Sequence, residues 1–150
     1  MRNKLSVVVD TNIFLNSWFD DDKYCNHIID LISNRKLKLL FSQDTIGELI
    51  YVVKKFAVKN MSSQKPRIAL LNFVTELFYW AESVDTSNTK CPKLNDPYDE
   101  MFLKCAIEEH ADYIISEDVA SGMHKVELEG IKILKAKEFV LAYESLCVEV

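Results

Sequence analysis

With 150 residues, 49% of them hydrophobic, the chain is long and apolar enough to form one globular domain, residues 1–150, around its own core. Its apolar start is short and ends in an acid, and no apolar run is long enough to span a bilayer, so we expect a cytoplasmic protein without a signal peptide or membrane contact. The four scattered cysteines and three histidines argue against a zinc site. The net charge of −5 disfavours a nucleic-acid partner, unless bound divalent cations supply positive charge.

The first predicted strand is the apolar, β-branched run of residues 5–9, which stops at Asp10 and is followed by Thr11 and Asn12. A continuous hydrophobic run is typical of a strand covered on both faces, as in the centre of a parallel sheet. Open α/β sheets bind their ligands at the carboxyl ends of such strands. We therefore expect the chemistry of this protein at Asp10.

Two consecutive helices are predicted in the middle of the chain. Before them, residues 13–18 predict a helix or a turn, residues 20–22 a loop that leads into a helix ending near Asn34, and residues 37–41 a second short strand. The next helix is capped by Ser42 or Asp44, and the one after it, beyond a polar linker, has Pro66 in its first turn. Their predicted buried faces are Ile46, Leu49, Ile50, Val53 and Ala57 on the first, and Ile68, Leu71, Val74, Leu77 and Phe78 on the second. The two helices predict an αα-hairpin inserted into the fold.

The second half of the chain continues the alternation of strands and helices. Asp96 and Pro97 are a strong helix start, because aspartate caps a helix and proline suits its first position. The predicted elements are strands at 83–86, 112–116 and 132–134, and helices at 97–110 and 136–147. Alternating strands and helices imply parallel pairing through right-handed crossovers, which predicts an α/β fold.

Four carboxylates are predicted to reach the carboxyl edge of this sheet: Asp10, Glu48, Asp99 and Asp118. Clustered carboxylates are unfavourable without a counter-charge, and no lysine or arginine is predicted beside them. Mg²⁺ or Mn²⁺ suits oxygen ligands better than zinc does. Such a site can polarise a phosphoryl group and activate a water for in-line attack.

Each acid also has a structural alternative when it is considered alone. Asp99 can complete a capping box with Asp96, Asp118 can be a turn residue, and Glu48 can be a solvated helix residue. Asp10 is the hardest to explain as structure, because an unpaired carboxylate at the end of a buried strand costs folding energy. The metal hypothesis depends on all four converging.

Four stretches resemble the PIN-domain family of metal-dependent ribonucleases, and most closely its prokaryotic toxins of toxin–antitoxin modules. They are VVVDTNIFLN at 7–16, FSQDTIGELI at 41–50, NDPYDEMFLKCA at 95–106 and ADYIISEDVASGM at 111–123. The resemblance implies a three-layer α/β/α sandwich with a central parallel sheet. It also implies a catalytic metal site formed by Asp10, Glu48, Asp99 and Asp118, supported by the small polar residues Thr11, Asn12 and Ser116.

The activity implied by this resemblance is hydrolysis of an RNA phosphodiester by a metal-activated water, leaving a 5′-phosphate. The partners it implies are an RNA substrate, a cognate antitoxin and a second copy of the chain in a homodimer. Two positions depart from the family pattern: Ala120 stands where a second acid is common, with Glu117 as an extra acid just before, and Asn95 stands where a basic residue often precedes Asp-Pro. These departures concern substrate handling and leave the four acids intact.

Other classes of protein fit the sequence less well. A phospho-receiver domain needs paired acids after the first strand and a lysine at the end of a late strand. Here a lone Asp10 follows the first strand, and residues 116–118 (Ser-Glu-Asp) occupy the end of the late strand. A haloacid-dehalogenase-type phosphatase needs Asp-x-Asp, and residue 12 is asparagine. A nucleotide-binding Rossmann domain needs a glycine-rich loop, whereas the only glycines are Gly47, Gly122 and Gly130. A PIN fold that acts as a binding module with little catalysis stays open as the alternative.

Overall fold

A five-stranded parallel sheet organises the computed structural model, which describes residues 4–148. The strands lie in the order β3-β2-β1-β4-β5, so β1 is central. They are β1 (Ser6–Val9), β2 (Lys38–Phe41), β3 (Glu82–Ser83), β4 (Tyr113–Ile115) and β5 (Lys132–Leu134). The helices are α1 (Thr11–Asp20), α2 (Lys23–Ser33), α3 (Gln43–Asn60), α4 (Gln64–Tyr79), α5 (Glu100–Glu108) and α6 (Ala136–Val148), and short 3₁₀ turns cover Pro97–Asp99 and Met123–Lys125.

Strand β1 divides the interior into two cores. Val7 and Val9 face a core built with residues of α1, α2, α3, α4 and α6, whereas Val8 faces a smaller core built with α5. Because successive strand residues point to opposite faces, one apolar run serves both cores. This confirms the predicted three-layer α/β/α sandwich with a central parallel sheet. No helix within residues 4–148 is long and apolar enough to cross a membrane.

Local sequence signals set the starts of several helices. Asp22 Oδ1 accepts the backbone N–H groups of Tyr24 and Cys25 at 3.0 Å each. Ser42, and not Asp44, is the N-cap of α3, and it forms a reciprocal capping box with Thr45. Asp96 caps the turn before α5 as predicted, but Asp99 makes no side-chain cap bond, so the alternative of a capping box with Asp96 is wrong.

Two predicted boundaries are wrong. Strand β3 covers Glu82 and Ser83 in place of residues 83–86, because β2 ends at Phe41 and offers ladder partners only up to Ser83. Helix α5 ends at Glu108 in place of His110, whose φ of 52° lies in the left-handed region that ends helices.

The αα-hairpin predicted from the sequence is formed by α3 and α4, but its apolar faces are only partly buried. Leu49, Val53, Val74, Leu77 and Phe78 are buried as predicted. The prediction is wrong for Ile50, Ile68 and Leu71, which are 45%, 56% and 55% exposed. These three side chains lie on one side of the hairpin, in a groove lined by residues of α3 and α4 alone.

Candidate metal centre

Three carboxylates meet at the carboxyl edge of the sheet and are called here the acidic cluster. Asp10 directly follows β1, Asp118 lies in the loop after β4, and Asp99 ends the 3₁₀ turn before α5. One oxygen from each carboxylate lies within 4.8 Å of the other two. Asp10 and Asp99 are buried, at 4% and 9% exposure, and Asp118 is half-buried. The structure thus brings together three of the four acids that the sequence singled out.

The carboxylate of Asp10 is held in place by two of the predicted polar residues. Ser116 Oγ donates a hydrogen bond of 2.6 Å to Asp10 Oδ2, and Asn12 Nδ2 donates one of 3.2 Å to the same oxygen. Ser116 Oγ also accepts the backbone N–H of Asp118 at 3.0 Å, and Asn12 Oδ1 accepts that of Glu117 at 3.2 Å. Asn12 and Ser116 therefore tie the end of β1 to the loop after β4.

Glu48 lies beside the acidic cluster and outside its close group of oxygens. Thr11 Oγ1 donates a hydrogen bond of 2.8 Å to Glu48 Oε2, which fixes the glutamate to the residue that follows Asp10. The negative charge of Glu48 is near enough to contribute to the raised pKa of Asp10. The fourth predicted acid is therefore a neighbour of the cluster, oriented by the predicted residue Thr11.

Two residues that the sequence reasoning missed support the loop after β4. Asp118 Oδ1 accepts the backbone N–H of Ser121 at 3.2 Å, and Ser121 Oγ accepts that of Met123 at 3.2 Å. Asp118 is itself a turn-forming residue type, but nothing in that signal singles out Ser121. His124 Nε2 lies 2.8 Å from the carbonyl oxygen of Ser116. Nothing local in the sequence indicates that contact.

The structure also shows where the residues that depart from the family pattern lie. Glu117 does not point its carboxylate at the cluster: Oε1 accepts the backbone N–H of Ala136 at 2.7 Å, at the first residue of α6. Asn95 Nδ2 donates a hydrogen bond of 3.3 Å to the carbonyl oxygen of Ala120, and the Asn95 N–H donates to the carbonyl of Ser121 at 3.0 Å. The two unusual positions, Asn95 and Ala120, are thus in direct contact.

The electrostatics of the cluster oppose its charged form. Burial raises the pKa of Asp10 from 3.8 to about 6, and the charges of Glu48 and Asp118 add to this rise, whereas the hydrogen bond from Ser116 lowers it. Burial, followed by the charge of Asp10, raises the pKa of Asp99 to about 7. Within residues 4–148 no lysine or arginine forms an ion pair with any of these carboxylates. A positive charge from outside the chain would therefore stabilise the cluster.

The donor set fits a hard divalent cation. It consists of carboxylate oxygens, without a thiolate or an imidazole. Mg²⁺ and Mn²⁺ are bound by such oxygens, whereas structural zinc sites are usually built from cysteine and histidine. Burial on one side and the half-exposed Asp118 on the other leave the cluster open to a ligand at the sheet edge.

Comparisons with known proteins agree with the fold. The family model for the PIN domain matches residues 6–120, a range that contains all four acids. One similar structure is a chain of the VapBC2 crystal structure from Rickettsia felis, bound to a DNA fragment from their promoter: TM-score 0.56, 14% identity, covering 87% of this chain and 98% of that one. Another is PAE2754 from Pyrobaculum aerophilum: TM-score 0.56, 13% identity, covering 94% and 90%. No curated protein matches the chain significantly.

Proposed function

This chain belongs to the PIN-domain family, and on that premise we propose that it is a metal-dependent endoribonuclease that hydrolyses RNA phosphodiesters at the acidic cluster. Proteins of this family are typically nucleases. The observation that carries the proposal is the convergence of Asp10, Asp99 and Asp118 within 4.8 Å, with no ion pair to a lysine or arginine among residues 4–148. A purely structural cluster of this kind would only destabilise the fold.

The three carboxylates of the cluster are the proposed ligands of Mg²⁺ or Mn²⁺. When bound, the ion would polarise the scissile phosphate and lower the pKa of a water molecule. Ser116 and Asn12 hold the Asp10 carboxylate in one orientation, which reduces the rearrangement needed on binding. The burial of Asp10 and Asp99 excludes water from one side of the site and strengthens its electrostatic interactions.

Glu48 is the proposed proton acceptor for the attacking water. Its Oε2 is occupied by the hydroxyl of Thr11, so its Oε1 is left to accept a proton. The water oxygen bonds to phosphorus as the bond to the 3′ oxygen breaks. The proton lost by the water is balanced by one gained at that oxygen. The products are a 5′-phosphate and a 3′-hydroxyl.

The biological role that we propose is that of the toxin in a toxin–antitoxin pair. The motif resemblance to such toxins supports this role, and the shared fold with a chain of the VapBC2 structure is consistent with it. A cognate antitoxin and a second copy of the chain are the proposed protein partners. The proposed location is the cytoplasm, where RNA and the antitoxin would be found.

Cleavage of a mixed pool of structured and unstructured RNAs tests the activity. We expect cleavage in Mn²⁺ or Mg²⁺, none in EDTA, and a loss of at least about 100-fold in Asp10→Asn, which removes a ligand charge at nearly constant volume. Asp44→Asn is the matched control, because this exposed carboxylate lies on α3 near Glu48 and should leave the rate unchanged. Equal cleavage by Asp10→Asn and the wild type would contradict the site.

A second measurement separates an inactive enzyme from a mistaken metal site. A ligand that binds the native state alone raises the unfolding temperature. We expect Mn²⁺ to raise it for the wild type and Asp44→Asn but not for Asp10→Asn. A metal-dependent shift without cleavage of any RNA would favour the alternative of a PIN fold that acts as a binding module.

A further inference from the structure

The face of α3 that carries Glu48 continues along the helix as a row of three side chains. With 3.6 residues per turn, Lys55 and Lys59 lie within about 20° of the direction of Glu48 around the helix axis, and Tyr51 lies within about 60° of it. The helical rise places the two lysines about 11 and 17 Å beyond Glu48. We call Tyr51, Lys55 and Lys59 the lysine ridge. It leads away from the metal centre along α3.

The side chains of the lysine ridge are open to solvent. Tyr51 is 64% exposed, and both lysines are exposed. Lys55 Nζ lies 5.3 Å from the centroid of the Tyr51 ring, so the ring positions this ammonium group. Among residues 4–148 neither lysine of the ridge forms an ion pair. Their charges are therefore available to an anion from outside the chain.

The local charge of this segment is opposite to that of the whole chain. Residues 49–75 contain five lysines and arginines and no aspartate or glutamate, whereas the net charge of the chain is −5. An RNA strand is repelled by acidic surface and attracted to concentrated positive charge. The lysine ridge therefore offers such a strand a favourable path towards Glu48.

Two neighbouring surfaces delimit the lysine ridge. On one side Phe56 packs on Phe19 of α1, with ring centroids 5.5 Å apart. On the other side Lys54 and Val58 line a groove of about 440 Å³ between α3 and α4, which we call the hairpin groove. The ridge is thus a narrow strip. A stable protein interface needs roughly 20 residues a side, so three side chains suit an extended strand better than a protein.

We propose that the lysine ridge binds the part of the RNA substrate that leads away from the scissile bond. Lys55 and Lys59 contact backbone phosphates, and Tyr51 stacks against a base. This proposal rests on the nuclease function and places the substrate outside the metal centre. Because Glu48 and the ridge belong to one helix, contacts on the ridge determine where the strand crosses the acidic cluster.

Fluorescence anisotropy of a labelled single-stranded RNA, measured in EDTA, tests the two lysines. About 12 nucleotides are within the range that one single-strand-binding domain covers. Each phosphate contact contributes about 0.7 to the slope of log Kd against log salt concentration, so the double variant Lys55→Gln, Lys59→Gln should reduce that slope by about 1.4. Both side chains are exposed, so the variant should keep its fold, which thermal unfolding checks.

The double variant Lys36→Gln, Lys132→Gln is the matched control. It removes the same charge from two other exposed lysines, one just before β2 and one at the start of β5. These lie at the amino edge of the parallel sheet, opposite the acidic cluster. We expect the control to keep the wild-type slope, because its lysines do not contact the strand.

Variants of Tyr51 test the stacking contact in the same assay. Tyr51→Ala should weaken RNA binding about tenfold, since it removes the ring on which a base stacks. Tyr51→Phe keeps the ring and should bind as the wild type does. Equal losses in the two variants would assign the effect to the hydroxyl and contradict stacking.

Cleavage kinetics in Mn²⁺ separate this proposal from the nuclease function. The Lys55→Gln, Lys59→Gln variant should raise KM for the same RNA about tenfold at unchanged kcat, because the ridge binds the substrate and the transition state alike. Asp10→Asn should lose cleavage and still bind the RNA in EDTA at least as tightly as the wild type. Ridge-dependent binding without cleavage by the wild type would contradict the nuclease function and retain the ridge as an RNA site.

Two outcomes would overturn the proposal. The first is a salt slope that is the same for the ridge variant and the wild type. The second is an equal reduction of the slope in the ridge variant and the control, which would show that RNA binding responds only to net charge.

Discussion

The carboxyl edge of the sheet and the hairpin groove present opposite arrangements of charge and apolar surface. At the sheet edge, Asp10 and Asp99 are buried, and no lysine or arginine of the described part of the chain forms an ion pair with them. In the hairpin groove, Ile68 and Leu71 are more than half exposed beside Lys54 and Arg67. Each arrangement costs stability to the isolated chain, the first by burying charge and the second by leaving apolar area in water. Departures of this kind concentrate where a protein binds something.

Replacing a cluster acid should have the largest effect, and it should fall on activity. Asp99→Asn removes one of the three proposed ligand charges, so we expect cleavage to fall at least about 100-fold and the stabilisation by Mn²⁺ to disappear. Asp96→Asn is the matched control three residues away, because asparagine caps a helix as well as aspartate does. If both variants lost activity equally, the start of α5 and not the ligand charge would be responsible.

Truncating leucines on α4 compares the buried and exposed sides of the hairpin directly. Leu77 is 5% exposed and Leu71 is 55% exposed. We expect Leu77→Ala to lower the free energy of unfolding by about 3 kcal/mol through lost burial and the cavity, and Leu71→Ala by less than about 1 kcal/mol. Urea unfolding measures both. A cost at Leu71 as large as that at Leu77 would mean that the groove is already covered in solution.

Asp10→Asn should stabilise the metal-free protein at pH 8. Folding raises the pKa of Asp10 from 3.8 to about 6, so the native state binds its proton more tightly than the unfolded chain, and stability is lost as pH rises from about 4 through 6. Asparagine removes this penalty, a gain of about 3 kcal/mol at pH 8 that shrinks towards pH 4. Urea unfolding in EDTA at the two pH values measures it. A gain that is independent of pH would contradict the electrostatic cause.

Removing the hydroxyl that holds Asp10 should have the smallest effect. Ser116→Ala deletes the 2.6 Å hydrogen bond to Asp10 Oδ2, and we expect Mn²⁺ to bind about tenfold more weakly. Ser121→Ala is the control, since Asp118 is bound by the Ser121 backbone N–H, which alanine retains. Titration of the unfolding temperature against Mn²⁺ compares the two, and equal losses would show that Ser116 acts only through the loop.

The sequence predicted the sheet edge better than it predicted the hairpin. The run that ends at Asp10 has one interpretation as a doubly covered strand, and the position of its last residue follows from sheet geometry. The convergence of Asp99 and Asp118 on Asp10 could be inferred in the same way. Whether Ile50, Ile68 and Leu71 are covered depends on what packs across the hairpin, which helical periodicity does not specify.

Local sequence patterns could not predict the finer contacts at the site, because these contacts join residues that are far apart in the chain. The sequence marks Glu117 only as an extra acid beside the family pattern, whereas in the structure its carboxylate caps a helix that begins 19 residues later. The bond from Thr11 to Glu48 joins residues 37 positions apart, and only the folded sheet brings them together. The acids could be predicted as candidates, but the roles that separate Glu48 and Glu117 from the cluster are set by tertiary packing.

The cap that Glu117 places on α6 has a consequence for how the acidic cluster comes apart. The loop that carries Asp118 is held by the backbone N–H of Ala136, which donates to Glu117, and by the Ser116 N–H, which donates to the carbonyl of Leu134. These two contacts lie in β5 and α6, elements that contribute no carboxylate to the cluster. Local unfolding of β5 and α6 would therefore release this loop and separate Asp118 from Asp10 while β1 stays in the sheet.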